Sequence, residues 1–231
     1  MNLDLVMITT GSRPRLLEQS LKSLRENASN WDQHSLTLVM DGCSVMGVCG
    51  LADTIPDRVI TSFERQGASR SRNIGASSTT KYLRKDAVCF FDDDVYACPG
   101  WDNQLTEAAI EMPNCLISGH AHPFNHTILG QRRRALQTTV LSTVHISMSW
   151  NVWDWLGFWA EPGGAGGSED VDYCKRATNI SIPLLLTTPQ CILHTGIGSS
   201  TGSKLIGWEQ VMENNRKLEK VHGIEGRVVY E

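Results

Sequence analysis

Apolar and polar positions alternate between two kinds of segment along the first half of the chain. Leu3 to Thr9 is a short, almost wholly apolar run, as expected of a strand buried on both faces. Pro14 then opens a helix at its first position, with Leu16, Leu17, Leu21 and Leu24 on one stripe. Strands follow at Ser35 to Met40, which ends on Asp41-Gly42, and at Arg58 to Thr61. A small-residue helix is predicted over Ala68 to Ala76, a strand over Ala87 to Phe91, and a helix from Pro99-Gly100-Trp101 to about Glu111. Short strands separated by helices predict a mostly parallel α/β sheet covered on both faces. Such sheets bind ligands at the carboxyl ends of their strands, where Thr9-Thr10, Asp41 and Asp92 to Asp94 all fall.

The second half is less regular. Cys115 to Gly119 reads as a strand, and Thr138 to Trp150 is rich in strand-forming residues. An aromatic stretch from Trp153 to Trp159 leads into Gly163-Gly164-Ala165-Gly166-Gly167. Ser168 is placed to cap a helix running to about Asn179, with Glu169 and Asp170 in its first turn. Short strands are predicted at Pro183 to Thr187 and Gln190 to Leu193, and a last helix from Trp208 to about Val221. No repeat or low-complexity linker interrupts the 231 residues, so one domain is expected, with a nucleotide half over 1–98 and an acceptor half over 99–231.

Candidate chemistry begins at Phe90-Phe91-Asp92-Asp93-Asp94-Val95. Three carboxylates at the end of a buried strand repel one another unless positive charge compensates them. Oxygen ligands of this kind suit a hard divalent cation. In an extended segment Asp92 and Asp94 share one side and Asp93 takes the other. An acidic turn after a strand is the competing reading of this run taken alone.

Composition narrows the function classes. A net charge of −4 argues against non-specific affinity for nucleic acid or anionic membrane, and Arg132-Arg133-Arg134 is the one compact basic run. Seven cysteines at these spacings form neither a disulfide framework nor a zinc site; all are expected reduced. No apolar stretch reaches the roughly 18–20 residues of a membrane span. The first residues read as a strand rather than a signal peptide, so a cytoplasmic location is expected.

Taken together, these motifs resemble the GT-A glycosyltransferases, and most closely the broad inverting family 2 that includes cellulose, chitin and hyaluronan synthases. The resemblance runs over roughly residues 3–196. It is carried by Thr9-Thr10-Gly11-Ser12-Arg13-Pro14 before a Leu-rich helix, by Asp41-Gly42, by Ser71-Arg72-Asn73-Ile74-Gly75, by Asp92-Asp93-Asp94 with Pro99-Gly100-Trp101, and by Gly166-Gly167-Ser168-Glu169-Asp170. The chain departs from the family at Thr10-Gly11 and Gly42-Cys43, and it lacks the Gln-x-x-Arg-Trp segment of processive polymerases. Processive synthesis is therefore not expected.

The resemblance implies a GT-A, Rossmann-like fold and a nucleotide diphospho-sugar donor, UDP-linked by preference. Asp92 and Asp94, with His194 as a third ligand, are implied to hold Mn2+ or Mg2+. Thr9, Thr10, Asp41, Arg72, Asp92 and Asp93 are implied to line the donor, Asp170 to act as general base, and Glu169 to contact the acceptor or order its loop. Each has a bland alternative: packing at a strand end for His194, helix capping for Asp170, a structural ion pair for Arg72. Trp153, Trp155, Phe158 and Trp159 are either an acceptor platform or core. The acceptor is a glycan, a small molecule or another hydroxyl compound. Three other functions compete: transfer to modified nucleic-acid bases, with Arg132–Arg134 meeting phosphate; a sugar-nucleotide-forming nucleotidyltransferase, whose Gly-rich start residues 9–15 match poorly; and a non-catalytic glycan- or nucleotide-binding module.

Overall fold

The parallel order begins with β1 (Leu3–Thr9), β2 (Ser35–Asp41), β3 (Arg58–Ser62) and β4 (Ala87–Asp92). β1 lies between β2 and β4 and pairs in parallel with both, and β2 carries β3 on its outer edge. The computed structural model describes residues 1–43, 56–120, 128–131, 134–161 and 169–194. Residues 163–168, the run 208–221, Arg132, Arg133, Cys49 and His122 lie outside the described residues, so the expected glycine loop, the Ser168 cap and the last helix fall there too.

Among the described residues the main sheet has nine strands in the order β3-β2-β1-β4-β9-β6-β10-β8-β7. Its second half comprises β6 (Leu116–Ser118), β7 (Ile128–Gln131), β8 (Ala135–Thr138), β9 (His145–Ser149) and β10 (Leu184–Thr187). Only β6 and β10 pair in parallel there. β9 runs antiparallel to both β4 and β6, and β8 runs antiparallel to β10 and β7. The sheet is thus mixed: parallel across β3, β2, β1 and β4 and again at the β6–β10 pair, antiparallel at its other pairings. The expected strand over Thr138 to Trp150 divides into the end of β8 and all of β9, and Trp150 already opens α4 (Trp150–Leu156), capped by the Ser149 hydroxyl. A separate two-stranded ribbon pairs β5 (Val95–Ala97) with β11 (Ile192–His194).

Helices cover both faces of the sheet. On one side α1 (Pro14–Asn27) and α3 (Trp101–Glu111) bury Leu17, Leu21, Leu24, Trp101 and Leu105 against Leu5, Met7, Leu38 and Phe91. Leu16 lies at the margin of that stripe, half-buried. On the other side α4 and α5 (Glu169–Asn179), with Trp159 between them in the chain, bury Trp153, Trp159, Tyr173 and Ala177 against Val6, Val88, Phe90 and Ile146. α2 (Ala68–Ser77) crosses β1 and β2 on this face with Gly75 at the contact. A Cβ there would collide with Val6 Cγ1 and come within 3.0 Å of Val39 Cγ2. The six described cysteines are free.

A buried polar relay ties α3 to the amino end of the sheet. The Leu3 N–H donates to His34 Nδ1 at 3.3 Å, and His34 Nε2 faces Asp102 at 3.2 Å. Asp102 also accepts from the N–H groups of Ser29 and Asn30 at 2.9 and 3.0 Å. Burial pushes the Asp102 carboxyl up, but hydrogen bonds from His34 and the backbone of Ser29, Asn30 and Asn103 outweigh it and hold it at about 2.

Two stability outcomes follow. Gly75→Ala overpacks the α2–sheet contact and should cost about 1–3 kcal/mol in chemical denaturation. Asp102→Asn should cost about 2 kcal/mol near neutral pH, because buried donors lose a charged acceptor. Asp102 is depressed in the folded state, so its contribution is complete above the unfolded carboxyl value of about 4 and is lost as pH falls toward 2. The stability difference between wild type and Asp102→Asn should therefore shrink below about pH 4. A difference that stays constant to pH 2.5 or so would exclude Asp102 as its source.

Candidate active site at the carboxyl ends of the strands

β1, β2 and β4 end level with one another. Ile8 is in register with Asp92 and Thr9 with Met40, so Thr9, Asp41 and the acid run lie along one edge. Asp41 is buried, and its carboxylate accepts from the N–H groups of Gln66 and Gly67, the latter at 2.9 Å. It thereby fixes the turn that starts α2. Thr9 is buried too: its hydroxyl donates to Asp93 at 2.6 Å and accepts from the Gly11 N–H at 3.0 Å. The Thr10 hydroxyl is paired with that of Ser12 at 2.8 Å.

The acid run departs from the extended alternation expected of it. β4 stops at Asp92 and the chain turns through Asp93 and Asp94 into β5. The turn brings the carboxylates of Asp93 and Asp94 together, and the single guanidinium of Arg13 bridges them, with Nη1 donating to Asp94 at 2.6 Å and Nη2 to Asp93. The Ser20 hydroxyl secures the turn by donating to the Asp93 carbonyl and accepting from the Val95 N–H. Burial raises Asp93 despite its Thr9 and Arg13 contacts. Asp94 is also buried, but His194 and Arg13 together carry it below the usual carboxylate range.

His194 ends β11, which the ribbon with β5 sets beside the acids: His194 pairs in register with Val95, and its Nε2 lies 3.1 Å from Asp94 Oδ1. Burial lowers the imidazole, but Asp94 more than offsets this and raises it. The ring of buried His120 meets that of His194 edge to face, with centroids 5.8 Å apart.

Behind Asp92 stands Arg72, whose side chain is only 2 % exposed. It donates to Asp92 at 2.8 Å and to the Thr143 carbonyl at 3.3 Å, lies 3.5 Å from Glu169, and stacks over Trp159. Among the described residues its Nε and Nη1 make no hydrogen bond. One guanidinium therefore joins the acid run on β4 to the Glu169-Asp170 pair at the start of α5. Burial lifts Asp92 to about 6, with Arg72 opposing and Asp94 and Asp93 adding to the rise. Burial likewise lifts Asp170 to about 6, and Glu169 adds to it; the Val171 N–H and Arg72 oppose.

The chemistry of the donor set fits a divalent ion in part. Asp94 and His194 already touch, and Asp92 is close enough to feel both charges. A carboxylate and an imidazole suit Mn2+, and carboxylates alone suit Mg2+. Among the described residues, however, no three His, Cys, Asp or Glu side chains converge as a ready metal cluster. Arg13 holds one oxygen of Asp94, and Arg72 holds Asp92.

The aromatic stretch divides. Trp153 and Trp159 are core residues, and Trp155 and Phe158 are exposed. Arg134 is engaged by Glu107 at 3.1 Å and, through its N–H, by Glu111. Arg13 and His120 are the site residues that sequence reasoning did not single out. Arg13 was legible only as part of the turn motif before Pro14, and its partners are some 80 positions away. His120 carried no spacing signal. Among the described residues no helix is long and apolar enough to cross a membrane.

Neither a sequence-family profile nor any curated protein matches the chain. Solved structures do. GalNAc-T7 with UDP, GalNAc and Mn2+ superposes over 96 % of this chain and 48 % of its own, with a TM-score of 0.71 at 11 % identity. Staphylococcus aureus TarS (residues 1–349) covers 83 % and 59 %, with a TM-score of 0.60 at 16 % identity. The mannosyltransferase PcManGT of Pyrobaculum calidifontis, with GDP-Man and Mn2+, covers 78 % and 51 %, with a TM-score of 0.56 at 17 % identity. The chain thus spans about half the length of these proteins. At such low identities the likeness concerns architecture, and the architecture is the GT-A, Rossmann-like fold, with a mixed central sheet flanked by helices.

Proposed function

We propose that this chain is a glycosyltransferase that moves a sugar from a nucleoside diphosphate donor, UDP by preference, to an acceptor hydroxyl by a metal-dependent, inverting single displacement. One observation carries the reading. The acid run with His194 and the Glu169-Asp170 pair meet at one edge of a GT-A sheet, joined through Arg72. Two of the similar structures contain Mn2+, one with UDP and one with GDP-Man, which supports a metal-assisted donor site.

Asp94 and His194, with Asp92, would hold the cation, which when bound neutralises charge on the departing diphosphate. Thr9, Thr10, Asp41, Asp93 and Arg72 would frame the donor within the 1–98 half. Of these, Thr9, Asp41 and Arg72 do so by fixing the strand ends and the acids they touch. The displacement breaks the bond between the anomeric carbon and the diphosphate oxygen and forms one to the acceptor oxygen. The acceptor proton passes to Asp170, whose carboxylate is suited to the task by its value near 6. Glu169 keeps Asp170 basic through its charge and anchors the start of α5 to Arg72.

Calorimetry with UDP and GDP should give binding that requires Mn2+ or Mg2+, weakens on EDTA, and falls at least ~10-fold in Asp94→Asn, since a metal ligand is lost. Metal-insensitive binding would refute the donor site. A panel of nucleotide sugars screened for metal-stimulated hydrolysis should identify the donor without knowledge of the acceptor.

Asp170→Asn should keep its fold and nucleotide affinity yet lose at least ~100-fold in transfer, the scale for a positioned base. The base must be ionised, so wild-type transfer should fall as pH drops through about 6, and the product should be inverted. A fully active Asp170→Asn enzyme or a retained anomer would overturn this role.

A further inference from the structure

Arg13 is held at a fixed place beside the acids. Its carbonyl accepts from the Leu17 N–H at 3.1 Å as α1 begins, and Pro14 sets the next backbone angle. Its guanidinium spans Asp93 and Asp94, whose side chains are 5 % and 4 % exposed, while its own is 20 % exposed. It is therefore less deeply buried than the pair of acids it holds. Both oxygens of Asp94 are engaged, Oδ2 by Arg13 and Oδ1 by His194. Any cation taken up by Asp94 and His194 must share this carboxylate with a guanidinium already bonded to it. Two positive charges on one buried carboxylate oppose each other strongly, because little water screens them. Binding of the cation and retention of the Arg13 clamp are thus linked with negative sign. A guanidinium that leaves a carboxylate keeps its planar fork, which matches phosphate oxygens equally well.

Building on the donor-site reading above, we propose that Arg13 is an exchangeable counter-ion: it clamps Asp93 and Asp94, yields Asp94 to the divalent cation, and passes its fork to the diphosphate of the donor. Arg13 is then a binding residue with opposite effects on the two ligands. It opposes the metal and favours the phosphate. A purely structural role would weaken both.

The test uses the full chain, with Mn2+ alone and then inorganic pyrophosphate at saturating Mn2+, both followed by calorimetry, with Mn2+ occupancy checked by electron paramagnetic resonance. Arg13→Gln should bind Mn2+ at least ~10-fold more tightly and pyrophosphate at least ~10-fold more weakly, through loss of one charge near both. Arg13→Lys keeps the charge but cannot bridge two carboxylates; it should shift each affinity in the same direction by about threefold, which keeps the assignment testable should the glutamine variant not fold. Wild-type protein that binds neither ligand would overturn the donor-site reading and the Arg13 assignment with it. Wild type that binds both, with a variant whose Mn2+ affinity does not rise or whose pyrophosphate affinity does not fall, would overturn the Arg13 assignment alone.

Discussion

Compensating the charge at the end of β4 is the constraint around which the rest of the site is arranged. Phe90 and Phe91 are fully buried, and the chain must then place three carboxylates within a few ångströms of that core. Neutralising them with lysines would give point charges on flexible stems; a planar guanidinium can bond two acceptors at once and stack on an aromatic ring. Both arginines of the site use that property. Arg13 spans two acids, and Arg72 joins Asp92 to Glu169 while lying over Trp159. Removing either would leave buried charge uncompensated, which costs more than the pair itself contributes.

Arg72 also explains why consecutive residues of α2 act as a unit. Asn73, the next residue, donates to the Trp159 carbonyl and to Glu161 and accepts from the Trp159 N–H, so it anchors the backbone that leads toward α5. Gly75 lets the helix descend onto Val6 and Val39, which brings Arg72 and Asn73 within reach of both halves of the site. Asp41 closes the set by capping the turn before the helix. The Arg-Asn-x-Gly spacing thus encodes one ion-pair bridge, one backbone clamp and one close approach, each requiring a particular residue type.

What could be read from the chain followed the length and strength of each local signal. β1, β2, β4 and α1 were legible because mostly apolar strands of six or seven residues and a leucine stripe leave one economical burial. The site acids were legible as types in order. Their conformation was not, since the turn at Asp93 depends on Ser20 and Arg13, both distant in sequence. β5 and β7, at three and four residues, are too short for a period to register, and they exist through pairing with β11 and β8. α4 was hidden because Trp150, Trp153 and Trp155 carry strong strand propensity, which burial of Trp150 and Trp153 overrode. The antiparallel turn of the sheet at β9 left no local mark, because buried strands of either direction show the same apolar run.

The low identity to proteins of the same fold fits this division. Core positions such as Leu5, Val88 or Leu185 need only apolar character and suitable volume, so the architecture can persist while few residues match. Strand-end positions carry the charged side chains instead, and there the balance of charge becomes informative. Arg13, Arg72 and His194 between them face Asp92, Asp93, Asp94, Glu169 and Asp170, so acids outnumber basic groups at the described site. A diphosphate approaching that edge meets these carboxylates as well as the basic groups that hold them. Fold alone leaves the chemistry open; this surplus of carboxylate narrows it. It favours ligands that bring positive charge with them, and the nucleoside diphosphate and divalent ion proposed above would supply parts that match both the acids and the arginines.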